Sequence, residues 1–347
     1  MEASFKIRSD PTDFAVPDEV RERLQWLGEA IVSLQHIAGV DSPANVEIIV
    51  AADIAATIQS LDGHVHTVED LTSYALERVA GTVAAKTLYR DQGKSAAVVV
   101  LGGDLFTIAD PQSPAVLLQQ FVAGHELAHV LIDRTRACGG PPMEATSLPW
   151  EASRWLARYS IEEYHADRVA EVLLGTFASV SKDGEDDPLP ASQSDVGSDE
   201  QGWVTSATDA VNDIAEGIHR YRLVGNSILE TMWIESQTKT SQVLIALAHA
   251  QAVADFARDG SRATVTTPVR AECEPLHRLW SIIHEEAQKL SVAEGDPAAF
   301  YHDEQLVLDT CGDAIVAFWT DIGLSFTPHN DSYYIHVAHP QDCWPGQ

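Results

Sequence analysis

The chain is 347 residues long, 45% hydrophobic, and carries a formal net charge of −30. That length buries a sizeable core, as two domains or one large one. So acidic a balance argues against nucleic acid or an anionic membrane as a direct partner, because phosphate binding needs clustered Lys and Arg.

No apolar run reads as long enough to span a bilayer, and Met1 to Asp10 lack an apolar signal core. Cys138, Cys273, Cys311 and Cys343 are far apart and show no C-x-x-C spacing. They read as reduced thiols, and a cytoplasmic protein is the expectation.

In chain order, Pro17 to Ile37 predicts an amphipathic helix, with Val20, Leu24, Leu27, Ile31 and Leu34 at helical spacing. Val46 to Ala51 is a short β-type run, followed by a helix through Ile54 and Ile58 to Leu61. Asp62-Gly63 marks a turn. His64 and His66 alternate like strand neighbours but read as loop decoration, since no third ligand follows. Thr67 to Val79 reads as helical. Thr82 to Tyr89 and Ser95 to Leu101 flank Asp91-Gln92-Gly93-Lys94, and this predicts a β-hairpin. Its exposed edge could pair with an extended peptide, or the hairpin could simply cover the next helix.

That next helix is the most informative stretch. Ser113 suits its N-cap, Pro114 its first position, Arg134 and Arg136 its C-terminal dipole, and Gly139-Gly140-Pro141-Pro142 its stop. Within it, His125-Glu126-Leu127-Ala128-His129 is H-E-x-x-H. Residues four apart share a helix face, so both imidazoles can reach one metal ion. Glu126 lies one position on, placed to take a proton from zinc-bound water, the arrangement of a zinc-dependent hydrolase.

Pro149 to Leu174 predicts one long helix or two abutting ones. Glu163 is a candidate third ligand. Asp167, one turn on, would accept a hydrogen bond from the free ring nitrogen of a ligand histidine and fix its tautomer. Ser160-x-x-Glu163 also reads as a capping box, which needs no metal. Glu162 and His165 are the reserve candidates.

His125-Glu126-Leu127-Ala128-His129-Val130-Leu131, followed by Glu163-x-x-Ala166-Asp167-x-x-Ala170-x-x-Leu173-Leu174, resembles the ImmA/IrrE family of minimal gluzincin metallopeptidases. Val169 and Ala128 depart from residues common in that family. The resemblance implies Zn²⁺ on His125, His129 and Glu163, with Glu126 as general base. It also implies a three-stranded sheet ahead of the active helix and cleavage of a regulatory protein.

Ser181 to Gly202 is acidic and rich in Gly, Pro and Ser, and reads as a loop or linker. Beyond it, Val204 to Val224, Ser227 to Arg258, Pro275 to Leu290 and Pro297 to Ile322 predict four amphipathic helices. On the last, Leu306, Val307, Ile315, Phe318, Trp319 and Ile322 are the expected buried face. His277 and His284 are too far apart to share an ion, and His336 and His339 lie in a tail. His165, His219, Tyr221 and Arg222 are candidates for stabilising an oxyanion.

The expected fold is therefore α+β. A zincin-like domain over residues 1–180 has a small mixed sheet and the H-E-x-x-H helix. A linker over 181–202 leads to a helical domain over 203–347. The expected function is a zinc metallopeptidase acting on a protein or peptide. The alternative is a non-catalytic zinc-binding scaffold for protein interaction, which would have no use for a base at Glu126.

Overall fold

The computed structural model describes residues 4–11, 15–61, 77–78, 81–82, 85–110, 113–143, 148–180, 200–224, 229–261, 274–292, 295–329 and 332–337. The fold is α+β, mostly helical, with a small mixed sheet. It divides into two compact units, each discontinuous in sequence. One comprises residues 1–142, 165–198 and 291–302, the other 143–164, 199–290 and 303–347.

The first unit begins with β1 (Phe5–Asp10), α1 (Asp18–Ile37), β2 (Asn45–Ala51) and α2 (Ile54–Ser60). A two-residue pair, β3 (Glu77–Arg78) and β4 (Gly81–Thr82), precedes the hairpin of β5 (Ala85–Tyr89) and β6 (Ala96–Gly102). A single turn, α3 (Gly103–Phe106), leads to α4 (Pro114–Gly139). The sheet order is β1-β2-β6-β5, with β1, β2 and β6 parallel and β5 antiparallel at one edge.

The sheet has four strands where three were expected. The addition is β1, whose short Phe-Lys-Ile-Arg-Ser-Asp run carries little apolar signal. Glu77 and Arg78, expected to be helical, are extended; the rest of that predicted helix before them, with His64 and His66, lies outside the described residues.

β2 and β6 are central and buried on both faces, so they read as continuous apolar runs rather than alternating ones. On one face Ile49, Ala51, Leu88, Val98 and Val100 pack with Leu61, Ile54 and Ile58 of the α2 region. Residues of β5 on the other face, Thr87 and Tyr89, meet α4. α1 packs on α4 and buries Val20, Leu24, Leu27 and Ile31 as its spacing predicts. It also buries Gln35, whose Oε1 accepts from the Ala44 amide at 2.8 Å, so that polar group is satisfied.

Among the described residues, α4 is long and apolar enough to cross a membrane by length and composition, contrary to the expectation of no such run. Here that apolarity serves packing: Ala123, Leu127, Ala128, Val130 and Leu131 are all buried.

Helix α5 (Pro149–Val180) is one unbroken helix and contributes to both units. The second unit continues with α6 (Glu200–Val224), α7 (Leu229–Ser261), α8 (Glu274–Ala287) and α9 (Pro297–Asp321), then a hairpin of β7 (Leu324–His329) and β8 (Ser332–Val337). His336 therefore stands in a strand, its Nε2 3.1 Å from Thr327 Oγ1, while His339 lies outside the described residues. α8 buries Leu276, Leu279, Trp280, Ile283 and Ala287, the face its periodicity predicts. On α9, Leu306 is 56% exposed and Leu308 takes the buried position, because the true stripe runs through Val307, Cys311, Ile315 and Trp319. Two fully buried indoles find acceptors: Trp319 Nε1 donates to Thr240 Oγ1 at 2.9 Å, and Trp280 Nε1 to Gln251 Oε1 at 3.1 Å.

Candidate metal centre

The site is built on α4, whose ends are set locally. Ser113 Oγ accepts from the Ala115 amide at 3.3 Å, and Pro114 takes the first helical position. Four residues apart on this helix, His125 and His129 share one face. Their ring centroids are 4.8 Å apart at 81°, and their Nε2 atoms are 3.1 Å apart.

Helix α5 supplies the carboxylates. Asp167, 2% exposed, has Oδ1 at 2.7 Å from His125 Nδ1. A carboxylate only accepts, so Nδ1 carries the hydrogen and the lone pair of the neutral ring is on Nε2. One turn earlier on the same helix is Glu163, also buried. His125, His129 and Glu163 each offer one ligand atom, and these atoms all lie within 4.8 Å of one another. The helices approach closely beside the site: a Cβ on Gly124 would meet Ala170 Cα and Cβ at 3.4 Å.

This set fits a zinc ion. Two imidazole nitrogens and a carboxylate oxygen are a zinc donor set, and two nitrogens about 2.0–2.1 Å from a tetrahedral ion stand roughly 3.3 Å apart. The observed 3.1 Å is close to that separation. Ser160 lies in the interior of α5, where its hydroxyl faces the Leu244 carbonyl at 3.4 Å. The capping-box reading of Ser160 and Glu163 therefore has no helix start to cap.

Glu126 is 9% exposed. Thr87 Oγ1, on the edge strand β5, is 2.8 Å from Glu126 Oε2 and 2.9 Å from the Glu126 carbonyl oxygen. Two residues on, the Tyr89 hydroxyl donates to the His129 carbonyl at 3.2 Å. The hairpin turn is tied to the same helix, with Lys94 Nζ 3.4 Å from Asp133 Oδ2. His249 of α7 has Nε2 3.6 Å from Glu163 Oε2, and the Trp203 ring lies 4.6 Å from its own.

Sequence reasoning did not single out Thr87, Tyr89 or His249. The alternation of Thr87 and Tyr89 along a strand was a visible signal; the partner of each was not. Of the oxyanion candidates, His165 is half-buried on α5, His219 is exposed and Tyr221 half-buried on α6, and the Arg222 side chain lies outside the described residues.

No protein family matches the chain, and no curated protein or solved structure matches it.

Proposed function

We propose that the chain is a zinc-dependent metallopeptidase with a zincin-like core, cytoplasmic, acting on a protein or peptide. One observation carries the reading. Two imidazole nitrogens from α4 and a carboxylate from α5 come within 4.8 Å of one another, with Glu126 next to His125 in sequence. The resemblance to the ImmA/IrrE family agrees with it and suggests a regulatory protein as substrate.

His125, His129 and Glu163 would hold the ion, and Asp167 would keep His125 in the tautomer that offers Nε2. When bound, zinc supplies Lewis acidity, polarising a carbonyl and lowering the pKa of water to near neutrality. The Glu126 carboxylate accepts a proton from the attacking water and passes it to the leaving amine. The mostly buried setting of Glu126 keeps bulk water from competing for that carboxylate.

Metal analysis of the purified chain tests this directly. About one zinc per chain is expected, lost in His129→Ala and Glu163→Ala. Glu126→Gln is expected to keep the metal and lose cleavage of an unstructured protein such as casein. A Glu126→Gln variant that cleaves as well as wild type would overturn the assignment. Stoichiometric zinc without hydrolysis by any variant would favour the non-catalytic scaffold.

A further inference from the structure

We propose that Thr87 is the positioning residue for the general base, its hydroxyl holding one carboxylate oxygen of Glu126 so that the other is presented for proton transfer. The inference rests on the metallopeptidase reading above.

The geometry gives one hydroxyl proton two acceptors on the same residue. Thr87 Oγ1 is 2.8 Å from Glu126 Oε2 and 2.9 Å from the Glu126 carbonyl oxygen. The carbonyl of a residue inside a helix already accepts from the amide four residues on. That leaves Oε2, at the shorter of the two distances, as the acceptor the hydroxyl holds. Oε1 is then the oxygen that takes the proton of the attacking water.

A glutamate on a helix has three rotatable bonds, and ordering such a side chain costs rotamer freedom. A base must sit within about 0.5 Å of its productive position. The strand does this from outside the helix. Thr87 and Tyr89 are on the same face of β5 and reach Glu126 and His129, three residues apart on α4. Two residues of strand span about 6.6–6.8 Å and three of helix about 4.5 Å, so two strand side chains can tie successive turns. Tyr89 donates to the His129 backbone carbonyl, whereas Thr87 reaches a side-chain oxygen of the base.

Thr87→Val keeps the branched shape and removes the hydroxyl; Thr87→Ser restores it. Both are compared with wild type in zinc content, thermal midpoint, and kcat and KM on a fluorogenic peptide chosen from a mixture that wild type cleaves. A fourth readout is acetohydroxamate affinity, read from the visible spectrum of the cobalt-substituted protein. A hydroxamate gives its hydroxyl proton to the base, so this reports the placement of Glu126 without turnover. Thr87→Val is expected to keep zinc and lower kcat about tenfold or more at unchanged KM. It should weaken acetohydroxamate about tenfold, with Thr87→Ser recovering both to within about threefold. Wild-type kcat and acetohydroxamate affinity in Thr87→Val would overturn the assignment and leave Thr87 a staple between strand and helix. So would losses that track the thermal midpoint and are not rescued by serine. If wild type itself holds no zinc and cleaves nothing, the function reading has failed and Thr87 falls with it; failure confined to Thr87→Val leaves the peptidase standing.

Discussion

Asp167 Oδ1 stands 2.7 Å from His125 Nδ1, joining α5 to α4 through a buried carboxylate. The contact decides which ring nitrogen of His125 has a lone pair to give. It would therefore act on a bound metal ion through the tautomer. Removing such an outer partner typically weakens metal affinity about 10–100-fold. Asp167→Ala is expected to show a loss of that size for zinc, measured by competition with a chromophoric chelator. Asp167→Asn keeps an acceptor but loses the charge, and should fall between Ala and wild type. Equal affinity in Asp167→Ala and wild type would remove Asp167 from the site.

The closeness of α4 and α5 makes a second, opposed pair of predictions. At Gly124 an added Cβ meets Ala170 at 3.4 Å, an ordinary contact, and alanine is the better helix former by about 0.8–1 kcal/mol. Gly124→Ala should leave stability unchanged or raise it. Gly124→Val adds three carbons where there is room for one, and is expected to cost about 1–3 kcal/mol and to lower zinc affinity by parting His125 from Asp167. At Gly139 a Cβ would come 2.0 Å from the Pro297 carbonyl oxygen, which is backbone and cannot swing aside. Gly139→Ala should therefore destabilise, by about 1–3 kcal/mol. Urea midpoints of the three variants check the order Gly124→Ala above Gly124→Val and Gly139→Ala.

Much of this site is visible in the residues alone, and the reason is locality. The spacing of His125 and His129, the cap at Ser113 and the Gly139-Gly140 stop all act within one helix, where periodicity is informative. Glu163 was a candidate ligand with a rival, because Ser160-x-x-Glu163 carries a competing local meaning. That meaning disappears only once α5 is seen to run unbroken from Pro149. Thr87 and His249 are reached through contacts spanning 39 and 86 positions, and nothing in either neighbourhood points to its partner. The misplaced Leu306 has a different cause: two leucines two residues apart both fit an apolar stripe, and only packing on α9 chooses Leu308.

The described cysteines differ sharply in environment. Cys138 is exposed. Cys311 is fully buried; burial, then the nearby Glu286 carboxylate, push its thiol up to about 12 against the weaker opposite pull of Lys289. The thiolate is the reactive form, so the two should separate cleanly. Iodoacetamide at pH 8 on the native chain is expected to modify Cys138 and spare Cys311, with Cys311 labelled only after unfolding. Peptide mapping by mass spectrometry reads the result, and native labelling of Cys311 would mean the α9 core opens readily.

Asp255, in the second unit, is a buried carboxylate with three donors. The Tyr164 hydroxyl and His284 Nε2 lie 2.7 and 2.8 Å from its Oδ2, and Gln251 Nε2 lies 3.0 Å from Oδ1. Burial by itself would push this carboxyl up. The hydrogen bonds of His284 and Tyr164, the His284 charge and the Gln251 bond outweigh it and hold the group at about 2, below its ordinary 3.8. A carboxyl whose folded value is depressed adds stability that is fully present above the unfolded value and is lost as pH falls through the folded one. The window here is therefore pH 4 down to pH 2, and the size of the effect is on the order of 2 kcal/mol. Asp255→Asn keeps the shape and removes the charge. It is expected to be less stable than wild type by about that amount at pH 6, with the gap closing as both are taken to pH 2. Urea midpoints of the pair across that range make the comparison independent of the chain's many other acids, which titrate in both. A gap that stays constant with pH would show that the hydrogen-bond geometry alone, rather than the ionised state of Asp255, holds Tyr164 and His284 together.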